Sequence, residues 1–381
     1  MLLLVFALIF IFFIAGCNYN RGDRTSDNRI HLLFVLVSFV ILQILRVYCQ
    51  KYFPDIPEYK DLFQKTPSLF YVLSHGGILK NFGTETTLEV EPGFNVFMSF
   101  VKCFTSSYSC FLFTVSIIEW LSLYFFCKKA KINYLAILPV YVCLTYTAFQ
   151  IGMLRQALAF CILLFAIICI KKKLIFLILM IVGFSFHRSM LFCLLLIWVD
   201  KYLKPKFIIG LFIFSLLIYL FQIEIISDVW GRFLADDSNR VNFYLGVDRA
   251  NNYLGIGFWE RVLEFVVTSA FYFKIRNNNM ASDGQCISKK FSDQSYFWRM
   301  NVLYNLGLSL IVLQMIFFSS PTITSRLRYY VVLFPVFFLS EYIRNEIPKG
   351  KKMVYLIPLF IYLTLYMFTQ SGYLRGIIDN V

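Results

Sequence analysis

Charge is scarce in this sequence. Charged residues make up 15% of it, where a soluble domain carries about 25%, and hydrophobic residues reach 59%, where a soluble domain carries about 45–50%. That balance excludes an ordinary water-soluble domain. Ten cysteines are present, yet none forms a Cys-x-x-Cys pair, which removes the usual zinc and redox motifs. Cys110, Cys143, Cys161, Cys169 and Cys193 lie inside apolar blocks and read as small hydrophobes. The sequence has no Gly-x-x-x-x-Gly-Lys-Ser/Thr phosphate loop. It has no Asp-x-Asp pair to hold a divalent metal on a nucleotide sugar. Neither a metal nor a cofactor is expected. Internal repeats and low-complexity tracts are also missing, and no separate soluble domain stands out.

What is present is a series of apolar blocks. About 20 helical residues cross about 30 Å of hydrocarbon. The expected spans are Met1–Ala15, His31–Cys49, Tyr108–Cys127, Asn133–Phe149, Gln156–Ile170, Phe207–Ile226, Phe258–Ile275, Trp298–Phe318, Leu327–Ile343 and Met353–Thr369. Met1–Ala15 lacks the positive flank of a signal peptide and is read as a first span. Gly93–Phe104 is too short to cross and reads as an interfacial or re-entrant helix. Leu174–Val199 is either one long span or two half-length helices meeting at His187-Arg188. The fold expected is all-α, a single polytopic integral membrane domain over residues 1–381 with about 10–12 transmembrane helices.

The net charge of +14 does not point to nucleic acid, because the basic residues sit in short turns between apolar blocks. Clusters at Arg21/Arg24/Arg29, Lys128/Lys129/Lys131, Lys171–Lys173, Lys201/Lys204/Lys206, Lys274/Arg276/Lys289/Lys290 and Arg344/Lys349/Lys351/Lys352 mark a cytoplasmic side. Placing all six there favours the hairpin for Leu174–Val199, with His187-Arg188 at its outward apex. It also leaves two long outer segments, residues 50–92 and 227–257. The first is net acidic, with Asp55, Glu58, Asp61, Glu85, Glu89 and Glu91 against Lys51, Lys60, Lys65 and Lys80.

Several cations break the charge rule by lying outward. They are Arg155 (beside Gln156), Arg188 (beside His187), Arg326 and Arg328. Arginines at interface depth suit a diphosphate, because a guanidinium offers planar bidentate donors to phosphate oxygens. The plainer reading is snorkelling toward lipid headgroups. His187 is one of three histidines and stands at the expected helix break. Glu119, in mid-span, reads as half of a buried pair with a cation from another helix. A base that deprotonates a sugar hydroxyl needs a carboxylate within hydrogen-bond reach, and Asp55 and Glu91 are the candidates.

These residues resemble a known pattern. Asp55-x-x-x-Tyr59 looks like the Asp-x-x-x-Tyr step of EpsG-type membrane proteins. Glu91-Pro92-Gly93-Phe94 looks like their Glu-x-Gly-aromatic step, and Arg155-Gln156-Ala157-Leu158-Ala159 resembles their Arg-Gln-x-x-Ala start of a span. Phe186-His187-Arg188-Ser189 resembles Phe-His-x-Ser, and Arg326-Leu327-Arg328-Tyr329-Tyr330 is similar to a late Arg-x-x-x-Tyr segment. The five run in order from Asp55 to Tyr330.

The resemblance implies a Wzy-like polymerase of O-antigen, capsule or exopolysaccharide repeat units in the bacterial inner membrane. It implies a metal-independent, inverting glycosyltransferase of GT-C-like architecture, working on the periplasmic face. Its substrate would be an undecaprenyl-pyrophosphate-linked glycan, and its partners the lipid bilayer, a chain-length regulator and a flippase. Asp55, Glu91 and His187 are then the catalytic candidates. Tyr59, Arg155, Gln156, Arg188, Arg326 and Arg328 are the substrate-binding ones. The alternative is a flippase or transporter of lipid-linked glycan, which predicts discontinuous helices around a midplane site and symmetry between halves.

Overall fold

The computed structural model describes residues 11, 27–50, 53, 55–75, 91–221, 256–282, 294–317, 327–330 and 332–370. Among them every regular element is a helix. The expected span Met1–Ala15, most of the outer segment 227–257, and Arg326 lie outside the described residues.

In chain order the helices are α1 (Asp27–Cys49), α2 (Asp55–Lys65), α3 (Leu69–Ser74), α4 (Pro92–Lys102), α5 (Tyr108–Ala130) and α6 (Tyr134–Tyr141). A π-helix (Val142–Gln150) follows, then α7 (Leu154–Ile168), α8 (Lys173–Phe186) and a 3-10 helix (Arg188–Trp198). The rest are α9 (Pro205–Leu220), α10 (Ile256–Ser282), α11 (Gln294–Ile316), α12 (Leu333–Glu346) and α13 (Lys352–Gln370). Local sequence sets several of the ends. Pro92 and Pro205 open α4 and α9, where a missing N–H costs nothing. Asn133 caps α6 by accepting from the Leu135 amide at 3.0 Å. Lys131 closes α5 in a left-handed conformation, φ 55°, and Ile132 N–H reaches back to the Cys127 carbonyl at 2.8 Å.

One expected span changes its winding partway. Asn133–Phe149 is not one α-helix. Its winding widens at Val142, three residues after Pro139, whose ring removes an amide donor from the ladder. Within the expected span Leu327–Ile343, residues 327–330 are helical, the Val332 amide donates to the Arg328 carbonyl at 3.0 Å, and α12 runs from Leu333. Two helices among the described residues are both long and apolar enough to cross a membrane, Tyr108–Ala130 and Tyr296–Ile316. Shorter apolar helices include Leu154–Ile168, Lys173–Phe186 and Pro205–Leu220. Large apolar side chains point outward along α8 (Leu174, Ile178, Ile181) and α13 (Val354, Ile361, Leu365). Such faces are costly in water and natural against lipid.

Leu174–Val199 does break at the polar pair. His187 is extended, φ −159° and ψ 126°, between α8 and the 3-10 helix. Met190 Cγ lies 3.3 Å from where a Gly183 Cβ would stand. In an unbroken helix those residues would be about 10 Å apart along the axis, so the chain turns back on itself at His187.

The chain divides into two compact units, one of residues 1–194 and 343–381, the other of residues 195–342. In the first, α5 packs on α7, α7 on α8, and α13 on the π-helix. Tyr59, Phe63, Phe94, Met98, Phe111, Val115, Leu154 and Leu158 form a core that joins α2, α4, α5 and α7. In the second, α9 and α10 both pack on α11. Tyr272 and Tyr304 stack at 4.0 Å, and Asn305 donates to the Val199 and Lys201 carbonyls.

Candidate functional site

Four of the sequence motifs meet in the first unit. Glu91 is the N-cap of α4, and its backbone carbonyl accepts from the Phe94 and Asn95 amides. A carboxylate at this end sits against the positive pole of the helix. Its Oε2 lies 2.6 Å from Arg155 Nη1, from the first turn of α7. Arg155 Nε also donates to the Tyr59 hydroxyl at 3.3 Å, and its guanidinium carbon lies 5.9 Å from the Tyr59 ring centroid. Tyr59 in turn packs edge-on against Phe94 at 5.7 Å. The Glu91 side chain is 10% exposed and that of Arg155 29%. The carboxylate is therefore the more buried member of the pair, and the arginine the more exposed.

Two glycines bring the motifs together. A methyl group on Gly93 would stand 2.8 Å from the Ser185 carbonyl oxygen, so only glycine lets α4 approach the end of α8 this closely. That contact sets the Glu91 motif beside Phe186-His187-Arg188-Ser189, and Phe97 touches Phe186 at 6.2 Å between ring centroids. A methyl on Gly152 would meet the Phe53 ring, 2.7 Å from its Cγ. The turn that carries Arg155 thus lies against the chain two residues before Asp55.

Asp55 opens α2, one helical turn before Tyr59 and so on the same face. Its side chain is half-buried. The His187 ring nitrogen Nδ1 accepts from the Ser189 amide at 3.2 Å and lies 2.6 Å from Ser189 Oγ. With Nδ1 accepting, the neutral ring carries its proton on Nε2, which becomes a donor. Arg188 is exposed, and Gln156 is fully buried in α7.

Arg328 belongs to the second unit. Its Nη2 lies 3.1 Å from Glu260 Oε2, and Glu260 also faces Arg261 at 2.9 Å; Arg261 pairs further with Glu264. The sequence reading passed over these three residues as part of a plain apolar span. The signal was Glu260-Arg261-x-x-Glu264, three charges within five residues at the start of α10. Arg46 was also missed. It is the partner Glu119 required, 2.5 Å from it and as fully buried. Among the described residues no group of three or more His, Cys, Asp or Glu is placed to hold a metal ion.

Chemically, the first unit presents a guanidinium fixed by a carboxylate and a phenol, a half-buried second carboxylate nearby, and an imidazole at a chain reversal. The sequence model of the EpsG family matches residues 31–375. The chain belongs to the EpsG family. The match covers most of the chain, including all five motifs, and EpsG is a Wzy-like polymerase family. Its members' apolar helices and polymerase-like role fit a membrane protein of polysaccharide synthesis. No curated protein and no solved structure matches the chain.

Proposed function

We propose that this EpsG-family protein polymerises undecaprenyl-pyrophosphate-linked oligosaccharide repeat units on the periplasmic face of the inner membrane. The growing glycan on its lipid diphosphate is the donor, and a new lipid-linked unit is the acceptor. The acceptor hydroxyl oxygen attacks the donor's anomeric carbon from the face opposite the diphosphate. The carbon–oxygen bond to the diphosphate breaks, its electron pair leaves on the diphosphate, and the configuration at carbon inverts. The hydroxyl proton passes to a carboxylate.

The observation that supports this reading best is the Glu91–Arg155–Tyr59 constellation at the meeting of the motifs. Arg155, pre-oriented by its two partners and partly exposed, suits the charge that develops on a leaving diphosphate. Of the two carboxylates, Asp55 is the better base. Glu91 already engages Arg155, and taking a proton would break that pair. His187, donating from Nε2, adds a donor to the same task. No metal is needed for such a transfer, because fixed donors meet the leaving charge. Lipid-linked donors also suit a compartment without ATP, since the bond energy arrives in the diphosphate.

A strain lacking the protein should carry single repeat units on its surface lipid and no long chains. Normal chain lengths in that strain would end this reading. A flippase, the alternative, would leave its units on the cytoplasmic side instead, so the location of the stalled lipid-linked unit separates the two.

A further inference from the structure

The mechanism above leaves the most deeply buried charges of the first unit unused. Arg46, from α1, is 2% exposed, and Glu119, from α5, is 1% exposed. A pair needed only for stability is poorly designed this way, since apolar residues of similar volume are often as stable. This pair does more than neutralise itself. Arg46 Nη2, 2.5 Å from Glu119 Oε2, also reaches the Gln150 carbonyl at 3.4 Å, and Arg46 Nε faces the Tyr146 hydroxyl at 3.4 Å. Tyr146 donates to the Leu42 carbonyl at 2.8 Å, and Tyr141 donates to Gln150 Oε1. Arg46 Nη1, Glu119 Oε1 and Gln150 Nε2 are buried without a hydrogen-bond partner among the described residues. Each has bonding capacity beyond what a simple structural pair uses.

Gln150 is the last residue of the π-helix, and Arg155 follows five residues later. Between them the turn passes Gly152, which is wedged against Phe53. The chain from α1 to α2 therefore grips this turn twice, through Arg46 on the Gln150 carbonyl and through Phe53 on Gly152. It then supplies Tyr59 to Arg155 itself.

We propose that Arg46 and Glu119 are positioning residues for Arg155: the buried pair anchors the end of the π-helix and so fixes where the diphosphate-binding guanidinium stands. The proposal rests on the polymerase reading of Arg155. It assigns the pair no contact with substrate.

The test uses the full-length protein in membrane vesicles, supplied with the strain's own lipid-linked repeat unit, with elongation rate as the readout. Glu119→Gln alone risks misfolding, so the decisive variant removes both charges as Arg46→Met with Glu119→Leu. That variant should insert and melt like the wild type, yet elongate roughly ten- to a hundredfold more slowly, as ångström-scale misplacement does. The loss should fall on kcat with KM little changed. Added to Arg155→Lys, the double swap should slow elongation no further, because both act through one group. Wild-type elongation by the double swap would overturn the proposal. So would a further loss of the full factor in the Arg155→Lys background. If Arg155→Ala itself elongates normally, the polymerase reading of that residue fails first, and this inference with it.

Discussion

Arg155 is held by two groups of different character, an inner carboxylate and a phenol, and each limits it in a different way. Glu91 supplies charge and a 2.6 Å contact, while Tyr59 supplies a hydroxyl and a ring face. A lysine has the charge but not the fork, and cannot meet Glu91 and a diphosphate in the same geometry. Arg155→Lys should therefore slow chain extension almost as much as Arg155→Ala, by about 10²–10³-fold if the group serves the leaving charge, read as loss of the long rungs in a surface-glycan ladder. The two candidate carboxylates should separate cleanly. Asp55→Asn should abolish extension without altering thermal melting, because its side chain opens a helix rather than joining the core. Glu91→Gln should retain slow extension, since the amide still accepts from Arg155. If Glu91→Gln is dead and Asp55→Asn active, the base has been assigned to the wrong residue.

Helices of the first unit meet where glycine allows it. At Gly93 the obstacle is the Ser185 backbone carbonyl as well as its side chain. Gly93→Ala should then lower stability by about 1–3 kcal/mol, and trimming the neighbour with Ser185→Gly should not restore it. Full recovery in that double variant, measured by melting of the solubilised protein, would mean that only the serine side chain mattered. This contact also shows what was legible in the sequence. The start of α4 at Glu91-Pro92-Gly93 was readable because proline suits the first turn of a helix, and the break at His187 because the basic clusters on either side favoured a hairpin. Which charges pair was not readable, because Glu91 and Arg155 lie 64 positions apart and six carboxylates competed in the same segment. The π-helix had no signal beyond Pro139. The charges of α10 were hidden by the phenylalanines and valines around them. Arg46 lay inside a stretch read only for its length.

Across the whole chain, the basic turns and the acidic outer segments make a topological claim of their own. Single cysteines placed among Lys128–Lys131 and Lys171–Lys173 should be shielded from a membrane-impermeant thiol reagent in intact cells. Cysteines within 50–92 and 227–257 should react. Labelling of the basic turns would put Arg155 on the wrong side for its proposed role. The division into units adds a consequence for how the protein is made. Residues 343–381 belong with residues 1–194, and α13 packs on the π-helix that leads into the Arg155 turn. A ribosome delivers the π-helix about 200 residues before the helix that packs on it. The nascent first unit must wait, half assembled, while the whole of residues 195–342 is threaded out, so a stop codon before Lys352 should leave an inserted but rapidly degraded chain.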